Sequence, residues 1–280
     1  MEYVEERRAA IDRRLEEVLA GMDPDDLSTQ AQEVVLSGGK RVRPTLTLLI
    51  CEALGGDTEA ALDFAAGIEL VHSASLVVDD IIDRSARRRG GQSAWAAYGH
   101  GAAIVTSDGL LGEAFGLFSK DPRATEAVAD AMVELGEGEA TELVDNPTTE
   151  AEYMELARRK TGALFRAAAR LGAVAADADE ATIEAVGGYA ERVGIAFQLR
   201  DDVLDATGDG DNLGKPTGVD ADMERPSILR VTDRSPVEVT EIARAESRTA
   251  REMLSDLDLP DSEAQTYLDE LAWFVVERER

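Results

Sequence analysis

Two long apolar patterns in this chain each run into an acidic cluster of the same DDxxD form. Leu62, Ala65, Ala66, Glu69, Leu70, Ser73, Leu76 and Val77 lead into Asp79-Asp80-Ile81-Ile82-Asp83. Ile183, Val186, Ala190, Val193, Phe197 and Leu204 lead into and through Asp201-Asp202-Val203-Leu204-Asp205. Both patterns have the helical period. Helix positions i and i+4 share a face, so Asp79 and Asp83 are expected side by side, as are Asp201 and Asp205. Asp80 and Asp202 follow about 100° round, near enough to support the site. Carboxylates gathered at the mouth of an apolar cavity repel one another and need a cation. Oxygen-only ligands suit Mg²⁺, which shares its shell with phosphate oxygens. An acid-rich chain makes one DDxxD readily by chance; two, each at the end of an apolar helix, favour a functional reading.

Helical periodicity dominates elsewhere too. Val4, Ile11, Leu15, Val18 and Leu19 space as one helix face. Gly55-Gly56, Gly90-Gly91, Gly99, Pro122, Pro147, Gly208 to Gly210 and Pro260 divide the chain into roughly ten segments. Sustained period-2 alternation is absent. The expectation is one all-α domain over residues 1–280, a helical bundle with its longest helices at the two clusters. The 280 residues, 44% hydrophobic, suffice for a sizeable core. No apolar run reaches 18 residues, so no membrane span is expected. The first residues lack the apolar stretch of a signal peptide. A single cysteine, Cys51, excludes an internal disulfide and fits a reducing cytoplasm. The net charge of −28 argues against nucleic-acid partners. It implies self-repulsion that high salt would screen, as in salt-adapted proteins.

Lysine occurs only at positions 40, 120, 160 and 215. Each survivor is therefore a candidate for a chemical task. Gly38-Gly39-Lys40-Arg41-Val42-Arg43-Pro44 combines glycines that let the backbone approach an anion with Lys40 and Arg43. Arg87-Arg88-Arg89-Gly90 comes soon after the first cluster, as a site needs when it holds a diphosphate between metal and guanidinium groups. A local counter-charge to an acidic face is the plainer alternative. His72, seven residues before Asp79, is a candidate donor to a diphosphate or else a core histidine. His100 reads as a loop residue and Cys51 as core. No His/Cys metal cluster, Walker-type loop, GxGxxG or Ser-His-Asp triad is apparent.

These segments resemble the trans-prenyl-diphosphate synthase family, in order along most of the chain. GGKRVRP is similar to the isopentenyl-diphosphate-binding segment. Glu69 to Gly90 resembles the first Asp-rich motif with its trailing arginines, and Lys160-Thr161-Gly162 the mid-chain KT motif. Phe197 to Asp205 resembles the second Asp-rich motif, and Gly214 to Asp220 the lysine loop after it. The resemblance implies the isoprenoid-synthase helical fold and a prenyltransferase of geranylgeranyl type. Three Mg²⁺ would be held directly by Asp79, Asp83 and Asp201, with Asp80, Asp202 and Asp205 assisting. Arg88, Lys160 and Lys215 would hold the allylic diphosphate; Lys40, Arg43, His72 and Arg89 would hold isopentenyl diphosphate. Thr161 and Gln198 would turn oxygens toward the developing cation. A homodimer is implied as well.

Departures are Val78 in place of a histidine, Arg225 in place of the loop's second lysine, and a short stretch after Ile228. The small Ala74 and Ser75, one turn before Asp79, leave the pocket floor open, with Phe115 or Phe118 able to close it deeper. The expected products are of geranylgeranyl length or longer, such as geranylfarnesyl. The same small residues would also serve close helix packing. A non-catalytic synthase-like subunit is the alternative from another class. A cyclising relative would not need the isopentenyl set of Lys40, Arg43, His72 and Arg89.

Overall fold

A computed structural model describes residues 2–207 and 226–278. Its helices are α1 (Glu2–Ala20), α2 (Asp25–Leu36), α3 (Val42–Ala53), α4 (Thr58–Ile82), α5 (Ala94–Tyr98), α6 (His100–Phe118) and α7 (Pro122–Val144), then α8 (Glu150–Ala157), α9 (Ala163–Ala175), α10 (Glu180–Thr207), α11 (Ile228–Val231), α12 (Pro236–Asp256) and α13 (Glu263–Glu277). A π-helical turn, Arg158–Gly162, joins α8 to α9. Strands β1 (Arg87–Arg88) and β2 (Gly91–Gln92) form a small antiparallel hairpin after α4. The all-α expectation holds, and the longest helices, α4 with 25 residues and α10 with 28, are the two that end in Asp clusters.

Local sequence sets several helix starts. Thr149 with Glu152 and Ser235 with Glu238 form reciprocal capping boxes at α8 and α12. Asp121 caps α7, with Pro122 in the first turn, where a missing N–H costs nothing. His100 opens α6 and stacks on Trp95, with ring centroids 5.1 Å apart, rather than lying in a loop. Cys51 is fully buried, as expected of a core residue.

α4 packs on α3, α6 and α9; α10 packs on α9, α12 and α13. α4 is also long and apolar enough, by length and composition, to cross a membrane, and 67% of that window is buried inside the protein. A search for an unbroken apolar run misses it because Glu69 and His72 interrupt the pattern. Glu69 is buried because Arg41 meets it: Nη1 lies 2.7 Å from Glu69 Oε1, and Nε lies 2.8 Å from Asp12 Oδ1. Arg41 of the GGKRVRP segment is thus a structural cation.

α9 lies so close to α3 that a Cβ at Gly172 would stand 2.4 Å from the Thr47 carbonyl oxygen and 2.9 Å from Ile50 Cβ. The obstacle is backbone, which cannot rotate away. Gly172→Ala is expected to cost about 1–3 kcal/mol of stability, read as a lower denaturation midpoint. An unchanged midpoint would refute this contact.

Candidate active site

A cavity of about 510 Å³ opens between the C-terminal halves of α4 and α10. Asp79 stands on the α4 side, and Asp201, Asp202 and Asp205 on the α10 side. Arg43, His72, Arg88, Arg89, Lys160, Thr161 and Gln198 line the same space, and Ser75, Leu76, Leu135, Leu156, Leu164 and Phe197 supply its less polar wall. Residues more than 150 positions apart therefore face one volume. A larger cavity of about 590 Å³ lies on the other face of α4, between α2, α5 and the hairpin. Of the candidate residues it is lined only by Asp80, Arg88 and Arg89, the two arginines being common to both cavities, so the smaller cavity is the site.

The six motif aspartates are not equivalent. Asp79, Asp201 and Asp205 are partly exposed to the cavity. Asp80 is buried, and Arg88 Nε reaches its two oxygens at 3.0 and 3.1 Å. Asp83 is the C-cap of α4; its amide closes the last turn on the Asp79 carbonyl at 2.8 Å, one turn beyond Asp79 as the spacing predicts, but it is buried and outside the cavity lining. Asp202 is buried and accepts from Tyr153, Gln198 and the Ile228 amide. Burial pushes its carboxyl up to about 6. Asp201 pairs with Arg278, which stacks over the Phe197 ring at 3.8 Å.

Lys160 sits in the π turn. A π turn adds one residue to the helical circuit and shifts the register of the helix beyond it, a device frequent at functional sites. Here it is packed tightly: a Cβ at Gly194 of α10 would come within 3.0 Å of Gly162 Cα and 3.1 Å of Phe165. That close approach brings Thr161 Oγ to 2.7 Å from Gln198 Oε1. Lys160 Nζ lies 2.6 Å from Glu142 and 3.0 Å from Glu139, both on α7. Burial disfavours the ammonium, but Glu142 and Glu139 outweigh it and raise the pKa. Burial pushes Glu139 up to about 7, against the pull of Lys160.

The basic side is held ready for an anion. Arg43 Nη1 lies 3.2 Å from His72 Nε2. Arginine can only donate, so Nε2 accepts and the ring proton resides on Nδ1. Burial, then Arg43 and Arg89, keep the imidazole well below its usual pKa. Burial also lowers Arg43 to about 10. Arg89 Nη1 donates to the Gly38 carbonyl, joining the hairpin to the glycine loop. Lys40 is exposed; burial of its stem and the neighbouring Arg278 lower its pKa. Lys215 and Arg225 lie outside the described residues.

Sequence reasoning missed Glu139, Glu142, Tyr153 and Arg278. Their residue types are common in this chain or carry no local mark. Position decides a further case: Ser75 lines the cavity, whereas Ala74 is buried, with its carbonyl accepting from Ser107 of α6 at 3.2 Å. Neither Phe115 nor Phe118 lines the cavity; Phe118 is fully buried against Gly67.

Among the described residues no group of three or more His, Cys, Asp or Glu side chains is gathered closely enough to hold a metal ion. The cavity's donors are carboxylate oxygens divided between two rims. Such a set fits a hard divalent cation that takes the rest of its shell from water and phosphate oxygens.

An all-helical bundle whose two longest helices hold acid against base across an apolar-walled cavity defines a protein built for a phosphorylated apolar ligand. The family described as polyprenyl synthetase matches residues 24–255. A short chain isoprenyl diphosphate synthase of Methanocaldococcus jannaschii is 40% identical over 224 residues, 76% of this chain and 68% of that protein. The crystal structure of a geranylgeranyl pyrophosphate synthetase from Pyrococcus horikoshii superposes with a TM-score of 0.89 at 34% identity, covering 99% of this chain and 98% of that one. A polyprenyl synthase from Caulobacter crescentus, complexed with calcium and isoprenyl diphosphate, gives 0.91 at 28% identity over 100% and 97%. The chain belongs to the polyprenyl synthetase family and is a prenyltransferase.

Proposed function

We propose that the protein condenses isopentenyl diphosphate with an allylic diphosphate to give a prenyl diphosphate of geranylgeranyl or geranylfarnesyl length. The observation that carries this is the meeting of Asp79, Asp201 and Lys160 at one cavity with an apolar wall. Lys160, Arg88 and Lys215 hold the allylic diphosphate; Lys40, Arg43, His72 and Arg89 hold the second substrate, with Arg225 keeping charge in the adjoining loop. Breaking the allylic C–O bond separates charge. Arginine and lysine donors stabilise the departing pyrophosphate, and the oxygens of Thr161 and Gln198 face the allylic carbon. Leu135, Leu164 and Phe197 exclude water that would capture the cation. The isopentenyl double bond then attacks, and a proton leaves to the pyrophosphate. When bound, Mg²⁺, three ions per site by family resemblance, supplies Lewis-acid stabilisation of the leaving group. The calcium and isoprenyl diphosphate of the Caulobacter relative support this reading.

Exposed Ile104 and Val105 on α6, and Val133, Leu143 and Val144 on α7, are apolar residues that a homodimer contact would cover. The charge of −28 and the single cysteine support a salt-rich, reducing cytoplasm.

Purified protein given labelled isopentenyl diphosphate, an allylic primer and Mg²⁺ is expected to make prenyl diphosphates. No metal- and primer-dependent consumption would sink the reading and leave the non-catalytic subunit. Ser75→Phe places a ring in the cavity one turn before Asp79. Its products are expected to shorten to farnesyl length on chromatography, whereas an unchanged product would exclude Ser75 from the chain path.

A further inference from the structure

Asp202 belongs to a hydrogen-bond chain with a fixed direction. It is 5% exposed. Its Oδ2 accepts from the Tyr153 hydroxyl, and from the Ile228 amide at 2.9 Å. Its Oδ1 accepts from Gln198 Nε2 at 3.0 Å. Gln198 Oε1 in turn accepts from the Thr161 hydroxyl at 2.7 Å. Tyr153, Thr161, Gln198 and Asp202 all line the cavity, and they come from α8, the π turn and α10.

The two ends of a glutamine amide are nearly alike in shape and opposite in polarity. A carboxylate can only accept, so Asp202 compels the Gln198 nitrogen to face it. The carbonyl is thereby turned away from Asp202, toward Thr161. Both Asp202 oxygens are occupied in doing so, and Tyr153 and the Ile228 amide keep the carboxylate from rotating.

We propose that Asp202, clamped by Tyr153, is a positioning residue rather than a metal ligand. It locks the Gln198 carbonyl and the Thr161 hydroxyl in the orientation that presents oxygen to the reacting allylic carbon. This rests on the prenyl-transfer reading above. Oxygens pre-set in a dry cavity act on a developing cation without reorganising when it forms. Asp201, next in the chain, lines the same cavity but is partly exposed and pairs with Arg278, so its carboxylate is not tied into this hydrogen-bond chain.

Asp202→Asn preserves shape while offering an NH₂ that allows Gln198 to turn over. Its kcat is expected to fall about 10- to 100-fold, with KM for both substrates nearly unchanged. Tyr153→Phe is expected to fall in the same direction, and the double variant to be no slower than Asp202→Asn, because one chain is cut twice. Two readouts are independent of turnover. Mg²⁺ titrated into protein with inorganic pyrophosphate should bind Asp202→Asn as it binds wild type, and bind Asp201→Asn poorly. In ¹⁵N spectra the Gln198 side-chain amide, assigned with Gln198→Glu, should exchange slowly in wild type and rapidly in Asp202→Asn. A tenfold loss of Mg²⁺ affinity in Asp202→Asn would make it a ligand and overturn the proposal. So would an unchanged kcat in both variants with only a lower melting temperature. If wild type transfers no prenyl group, the functional reading falls, while the titration and the amide signal still decide whether the lock exists.

Discussion

Asp79→Ala and Asp201→Ala are each expected to lower turnover by about 10³-fold while the protein stays folded. The two residues line the cavity from α4 and α10, so in the proposed reaction each loss would remove one carboxylate able to hold a divalent cation. Stability should change little in Asp79→Ala and fall more in Asp201→Ala, which leaves the Arg278 side chain, 5% exposed, without its carboxylate. Asp79 is partly exposed, and the Asp201 side chain is 45% exposed. Arg278 would lose its partner in Asp201→Ala but keeps the Phe197 ring and the Phe197 carbonyl at 3.2 Å. Steady-state rates with thermal melting would check this, with Mg²⁺ varied to separate weak binding from slow chemistry. Turnover within tenfold of wild type at saturating Mg²⁺ would refute the metal role.

Lys160→Ala is expected to damage both activity and stability. In the proposed reaction the ammonium holds the allylic diphosphate, so turnover should drop by orders of magnitude. Without substrate it neutralises Glu139 and Glu142, whose side chains are 17% and 13% exposed. Breaking a mostly buried pair leaves carboxylates without compensation and costs about 2–4 kcal/mol here, below the full figure for complete burial. The sign with pH comes from Glu139. Its folded pKa, about 7, lies above its ordinary 4.5, so the folded state binds that proton more tightly. Stability linked to this group is present at low pH and is lost as pH rises through about 7. Removing Lys160 raises that pKa further, so the variant's deficit should be larger at about pH 8 than at about pH 6. Chemical denaturation at the two pH values would show it. A deficit that shrinks with rising pH would contradict the assigned burial.

Much of the site could be read along the chain because its parts are local patterns. The DDxxD spacing, the glycine-flanked Lys40 and Arg43, and the rarity of lysine each need only a short window. The reading failed where a residue's role depends on what meets it from elsewhere. Asp79 and Asp80 are adjacent, yet one faces the cavity and the other is buried against Arg88. Ala74 and Ser75 are similar in size, yet one packs on α6 and the other lines the cavity. Glu139 and Glu142 are two of 57 acidic residues and stand out only once Lys160 is seen between them.

The helical period, the two acidic endings and the surviving lysines 40, 160 and 215 were decided by the sequence, since each expresses side-chain chemistry at fixed spacing. Which carboxylates open to the cavity, which are consumed as anchors, and which way Gln198 points were decided only by packing. The π turn at Arg158–Gly162 and the close approach of Gly162 to Gly194 set that register. The physical reason is that burial and hydrogen-bond direction belong to pairs of residues, and partners such as Asp201 and Arg278 lie 77 positions apart.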